Sequence, residues 1–239
     1  MRWAHQIDPA RLTGVLLLTS VTAMVAGAAV VVPSGLTLNP SDPAATLAAV
    51  HARAGLHLTE LALDVLGWLA LTGAALSALA ATARAGQHRA VLPGGLLAAA
   101  GLAGLLHDAG NLAVTQLAAD PSDPSAVAAA RAILLTAKWT VNLAGLLWVA
   151  ATTAAVVCVP MPAGLRRAGA FAALSGLVAV VLPWTTGVAG PSATLEQVGY
   201  LLHLPIMIWY GMLGWRLRRG AIGPLVTASP AAGHRIVPG

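Results

Sequence analysis

Three side chains set the chemical problem. His57, Glu60 and Asp64 recur at i, i+3 and i+7 within Gly55–Ala81, a stretch that is otherwise apolar. On a helix that spacing places an imidazole and two carboxylates on one stripe. Charged groups in lipid are costly and seldom idle, so the stripe must face protein, water or a ligand. Other titratable groups are spaced in similar ways. His107, Asp108 and Asn111 share a second apolar run, Lys138 and Asn142 stand at i and i+4 in a third, and Glu196, Tyr200 and His203 follow i, i+4 and i+7 in a fourth.

These residue types admit four kinds of chemistry. His57, His107 and His203, with Asp64, Asp108 and Glu60, offer the imidazole and carboxylate donors that suit divalent zinc, iron or copper. No HExxH motif is present, and the donors come from separate segments. Without a metal, Asp64, Asp108 and His203 are the candidate acid–base groups, because a carboxylic acid in a low-dielectric site holds its proton and can donate it. Trp68, Trp139, Trp184 and Trp209 could then flank a cationic intermediate, as in a lipid or isoprenoid rearrangement, although tryptophan is also common at membrane interfaces. A third option is a proton or ion path, for which Asp, Glu and His chains are the usual carriers. The fourth is a structural network, with Lys138 paired to Asp64 or Asp108 to lock the helices. In the binding readings Glu60, Asn111, Lys138, Asn142, Tyr200 and Trp184 contact the substrate. No P-loop, GxSxG or phosphate-cradling glycine loop occurs, and the small residues Gly101 to Gly104 and Gly211 to Gly214 read as close-packing positions.

The elements that must position these groups follow from composition. The 239 residues are 58% hydrophobic and 9% charged, with mean hydropathy +0.80. A soluble domain carries about a quarter charged residues, so the chain reads as an all-α integral membrane protein. Its net charge of +5 does not form a basic patch interleaved with aromatics, which excludes nucleic acid as a partner. Membrane lipids and a small lipophilic ligand are the expected partners. The single cysteine, Cys158, excludes an internal disulfide and a CxxC redox motif.

Six apolar runs are long enough to cross a hydrocarbon core of about 30 Å. They cover approximately residues 12–32, 56–81, 92–118, 132–158, 168–189 and 195–217, one domain over 1–219. Ala26-Gly-Ala28 resembles a signal-peptide cleavage site, but the apolar run continues to Val32, which favours an uncleaved helix. Asp42-Pro43 is an N-cap followed by a first-turn proline, so a short surface helix, 44–54, precedes the second span, with His51 and Arg53 solvated. Pro160 to Pro162 with Arg166-Arg167 forms a turn, Pro183 bends the fifth span, and 220–239 is a disordered tail. Pro40-Ser-Asp-Pro43 and Pro121-Ser-Asp-Pro124 repeat, and Pro191-Ser-Ala-Thr-Leu echoes Pro43-Ala-Ala-Thr-Leu. Three related hairpins account for that pattern, and so does shared loop chemistry.

Basic residues gather at the N-terminus, at Arg84 and Arg89, at Arg166 and Arg167, and from Arg216 to Arg219. The alternate loops hold Asp42, Asp120 and Asp123, with Arg53 and Arg131 as the exceptions. The positive-inside rule then puts both termini in the cytoplasm of a bacterial inner membrane. At about 1.5 Å per residue, the titratable groups of spans two, three, four and six fall in the outer half, with Trp184 near the outer end of span five. The expectation is a polar pocket between those four spans, open to the outside or the outer leaflet. A transporter or channel-like subunit is the alternative, against which no polar trail continues inward; a structural or regulatory membrane protein is the third.

The opening Arg11-Leu-Thr-Gly-Val-Leu-Leu-Leu, and Ser41-Asp-Pro-Ala-Ala-Thr-Leu-Ala-Ala-Val50 followed by an apolar span with Asp64, resemble a bacterial six-span membrane family catalogued as domain of unknown function 4386. The resemblance covers about Arg11 to Arg218. It implies a six-helix inner-membrane protein and no particular activity.

Overall fold

The computed structural model describes residues 8–36, 38–84, 88–189 and 192–220. Expectations for Arg2, Pro191, the side chain of Glu196 and the tail from 221 to 239 lie outside the described residues.

Helix starts are set by acid–proline pairs. Helix α1, Pro9–Val31, begins ahead of its apolar run because the Asp8 carboxylate accepts from the Ala10 N–H at 3.0 Å and Pro9 fills the first turn. The same device starts α2, Pro43–Ala52, where Asp42 accepts from Ala45 N–H at 3.0 Å. It also starts α5, Pro124–Cys158, where Asp123 accepts from Ser125 N–H at 2.9 Å. Proline there sacrifices no intrahelical bond, and each cap contributes about 1 kcal/mol. Thus α5 runs well ahead of the expected start at 132.

The remaining helices are α3, Ala54–Arg84, α4, Val91–Leu117, α6, Ala163–Val181, and α7, Ala193–Arg218. Arg166 and Arg167 belong to the first turns of α6 rather than to a turn before it. Pro183 does not bend a continuing α-helix. The α geometry stops at Val181 and a 3-10 segment, Leu182–Ala189, follows, with Gly187 at φ 53°. Pro205 is carried inside α7, and beside it the Ser175 hydroxyl of α6 donates to the Leu202 carbonyl at 2.7 Å. All described secondary structure is helical, and 6 helices are long and apolar enough to cross a membrane.

These six pack as a ring in chain order. α1 lies on α3, α3 on α4, α4 on α5, α5 on α6, α6 on α7, and α7 closes against α1. Small residues make the closure. A Cβ placed on Gly14 would lie 2.6 Å from the Gly214 carbonyl oxygen, and one on Gly214 would lie 2.9 Å from the Gly14 carbonyl oxygen. Such contact of backbones is the usual basis of helix association in lipid. Leu58, Leu66, Leu69, Leu106, Phe171, Leu174 and Leu201 are exposed around the outside, as lipid-facing side chains should be.

The interior has two cores. The larger holds an aromatic chain. Trp68 of α3 meets Trp148 of α5 edge-on at 5.7 Å, Trp148 meets Tyr210 of α7 at 5.6 Å, and Tyr210 meets Trp209 at 4.9 Å. The smaller lies under α2, where Leu36, Leu47 and Val50 pack on Val114, Ala118, Ala126, Ala130 and Leu134. His51 and Arg53 are exposed but not merely solvated: His51 Nδ1 is 2.7 Å from the Ala118 carbonyl oxygen, and the Arg53 guanidinium donates to the Ser34 carbonyl. They fasten α2 across this end of the ring.

Candidate functional site

The polar groups meet between α3 and α4, against α5. One ligating atom each from Asp64, His107 and Asp108 lies within 4.8 Å of the others. Among the described residues, no other such trio of His, Cys, Asp or Glu occurs. Asp108 is the most constrained member. It is 2% exposed, and neither carboxylate oxygen has a hydrogen-bond donor. Its close polar neighbour is Asp64, a second acid, which can donate to it only by giving up its own charge. Asp64 has a donor of its own, the Trp68 indole N–H, 3.3 Å from Oδ2.

Helical spacing explains part of this arrangement and a glycine explains more. Trp68 stands one turn beyond Asp64 on α3, so its N–H points back at the carboxylate. Its ring lies flat on α4 because Gly104 offers no side chain there, and a Cβ at that position would fall inside the indole. Gly104 and its neighbour Gly101, which receives Thr72, are therefore packing positions that set the spacing of α3 and α4. Asp108 follows Gly104 by one turn and faces the same seam.

A polar ladder leads away from the trio. His107 Nδ1 lies 2.8 Å from the Ala137 carbonyl of α5. That contact assigns the proton to Nδ1 and leaves a lone pair on Nε2, to which the Asn111 amide donates at 2.9 Å. Asn111 is 4% exposed, and its own carbonyl faces His57 Nε2 at 3.4 Å. Buried His57 in turn places Nδ1 3.7 Å from Glu60 Oε2. The Glu60 side chain keeps 19% of its surface exposed, so it is the accessible end of the ladder. Lys138 of α5 lies within electrostatic reach of Glu60 and His107.

The expected set thus divides. Asp64, Asp108, His107, Asn111, His57, Glu60 and Lys138 gather in the α3–α4–α5 sector. His203 does not join them, which corrects its place in both the metal set and the acid–base set. It sits against Gly145 of α5, where a Cβ would come within 3.0 Å of its Nε2, and its Nδ1 is 3.3 Å from the Gly199 carbonyl of its own helix. The ring order is the reason: α7 packs mainly on α6 and α1 and meets α5 through His203 and Tyr210. Tyr200 is 64% exposed and points away from the interior.

Asn142 and Trp184 also leave the set. Asn142 Nδ2 donates to the Val180 carbonyl at 2.9 Å, and its Oδ1 accepts from the Trp184 indole at 2.8 Å. They pin the 3-10 segment to α5 beside a shallow groove of about 340 Å³ lined by Trp139, Asn142, Leu143, Leu146 and Trp184. A second groove, about 310 Å³, runs between α4 and α5 along Leu106, Gly110, Ile133 and Thr136. Neither of these two grooves is lined by Asp64 or Asp108. The four tryptophans do not flank one site either. Trp68 serves Asp64, Trp139 and Trp184 face outward, and buried Trp209 donates to the Leu165 carbonyl at 2.9 Å.

Sequence reasoning missed the role of Trp68, Gly104 and the Ala137 carbonyl. The first was legible, since an indole one turn beyond an intramembrane acid is its nearest donor. The other two depend on which helices adjoin. Fold and site together define a multi-pass α-helical membrane protein with a buried acid–imidazole centre. Comparison with family models, with curated proteins and with solved structures finds no match for the chain.

Proposed function

We propose that this protein binds a small or lipophilic ligand at the Asp64–Asp108 centre, with the two carboxylates acting as ligand or acid–base groups. The observation that carries this is Asp108: a residue 2% exposed, with two buried acceptor oxygens that no protein donor serves beyond its acidic neighbour. A group held for packing alone is satisfied by its neighbours, because an orphaned buried acceptor costs about 1–3 kcal/mol. A bundle that tolerates that cost has the arrangement expected of a binding site awaiting a cation or a donor. Glu60 and His57 lead toward it from the α2 end, Asn111 and Lys138 surround it, and His107 is oriented by α5.

We infer an inner-membrane location with both termini cytoplasmic. Arg216, Arg218 and Arg219 share the ring end with Arg166 and Arg167, and Arg219 stacks 4.2 Å over the ring of exposed Trp215, an interfacial anchor. The centre then faces the outer half, within reach of the outer leaflet. We also infer that the repeated Asp-Pro caps reflect three related hairpins and that the chain is a member of the six-span family it resembles. The aromatic chain from Trp68 to Trp209 fills the other half of the ring, which supports a binding protein over a through-path.

Thermal unfolding with a chelator present tests the reading. Asp108→Asn removes an unserved charge and is expected to leave the midpoint unchanged or raise it, while abolishing retention of any lipophilic ligand seen by mass spectrometry of the organic extract. If the acid were part of a structural lock, its loss would cost about 3–5 kcal/mol and lower the midpoint by roughly 10 °C. That outcome overturns the proposal.

A further inference from the structure

We infer that the occupant of this centre is a divalent transition-metal ion held by Asp64, His107 and Asp108. The inference rests on the reading that the centre is a binding site and gives its occupant a chemical class. Three observations support it. The first is geometry: one oxygen from each aspartate and one ring nitrogen lie within 4.8 Å of one another. Bond lengths of about 2.0–2.2 Å place cis ligand atoms about 3–3.5 Å apart, so rotation of the two short carboxylate side chains closes the difference.

The second is the state of His107. Its Nδ1 is fixed on the Ala137 carbonyl, the outer contact by which ligating histidines are oriented and made more basic. The nitrogen left for a metal is Nε2, where the Asn111 amide now donates. A half-turn of that amide presents its oxygen instead, so Asn111 can yield the position and then accept from a metal-bound water. The third is Asp108, 2% exposed, whose two oxygens lack donors and which contributes one of them to the trio.

Charge selects the ion. Two carboxylates and one dication sum to zero, the state that a low-dielectric site tolerates. A monovalent cation leaves a negative remainder. One imidazole with two carboxylates suits zinc, manganese or ferrous iron better than the soft-ligand metals. Three protein ligands also leave a coordination position for water or substrate, the arrangement of catalytic rather than structural sites.

The full chain, purified without a polyhistidine tag and stripped with chelator, is to be titrated with Zn²⁺ and desalted before elemental analysis. The expected result is about one zinc per chain with a raised unfolding midpoint. Asp64→Asn, Asp108→Asn and His107→Gln should each weaken binding by tenfold or more, and His203→Ala should bind as the unaltered chain does. Absence of stoichiometric zinc, or undiminished binding by Asp108→Asn, overturns the metal site. Should a variant fail to fold, Co²⁺ bound to the unaltered chain gives the second readout. A visible d–d band with nitrogen and oxygen coordination is expected, and its absence overturns the inference. Missing metal with an unchanged Asp108→Asn midpoint sinks the metal and leaves the binding centre standing; a collapsed midpoint sinks both.

Discussion

Two half-buried histidines, His107 and His203, show how differently this bundle treats the same residue type. Both place Nδ1 against a backbone carbonyl, His107 at 2.8 Å across to α5 and His203 at 3.3 Å within its own helix. Both press on a neighbouring helix of small residues. Among the described residues, His107 is the one of the two grouped with acids. His203 bonds within its own helix, and the α5–α6–α7 sector around it is held by apolar packing and by single bonds such as Ser175 to Leu202. The α3–α4–α5 sector instead spends its packing on bringing like charges together.

Paired glycine substitutions test that division most severely. Gly104→Ala drives a methyl into the Trp68 indole, displaces the donor to Asp64 and is expected to cost about 1–3 kcal/mol together with ligand binding. Gly145→Ala, whose Cβ comes 2.9 Å from Val180 Cγ1 and 3.0 Å from His203 Nε2, should cost a similar amount or less and leave binding intact. Chemical or thermal unfolding, read beside ligand or zinc titration, separates the two. Loss of binding in both variants would erase the distinction between the sectors.

Smaller effects sharpen the same contrast. Asn142→Ala strips the Val180 carbonyl and the Trp184 indole of a partner and should cost about 1–2 kcal/mol, visible as a lower midpoint and a blue or red shift of Trp184 fluorescence, with binding unaltered. Smallest of all is Ser125→Ala, which removes one hydroxyl contact to the cap Asp123, a 2.6 Å bond at the surface. It should change the midpoint by no more than about 0.5 kcal/mol equivalent. A large effect there would show that the α5 start controls the centre.

Much of the architecture was readable from composition and spacing. Apolar runs separated by Pro, Asp and Ser gave six spans, because lipid forces backbone bonds to close within each helix. The Asp-Pro cap was read at Asp42, yet the same pair at Asp8 was passed over because a polar lead obscured it. The site was legible by halves. Helical period correctly joined His57, Glu60 and Asp64, and set Asp108 beside His107. It said nothing about which helices adjoin, so His203 and Tyr200, on a stripe as regular as the others, were assigned to the same pocket as Asp64 and Asp108, although α7 packs mainly on α6 and α1. Lys138 and Asn142 share a stripe four residues apart, but one faces α4 and the other Val180 of α6. Periodicity fixes a face; neighbour choice depends on small residues such as Gly104 and Gly14, whose effect lies in what they leave out.

The contact of Gly14 with Gly214 carries a consequence for biogenesis. It joins α1 to α7, the two helices of the ring farthest apart in sequence, so the annulus cannot close until α7 has been made. The acid-bearing segments, by contrast, are consecutive and emerge together in mid-synthesis. A nascent chain halted before α7 already carries every residue of the trio.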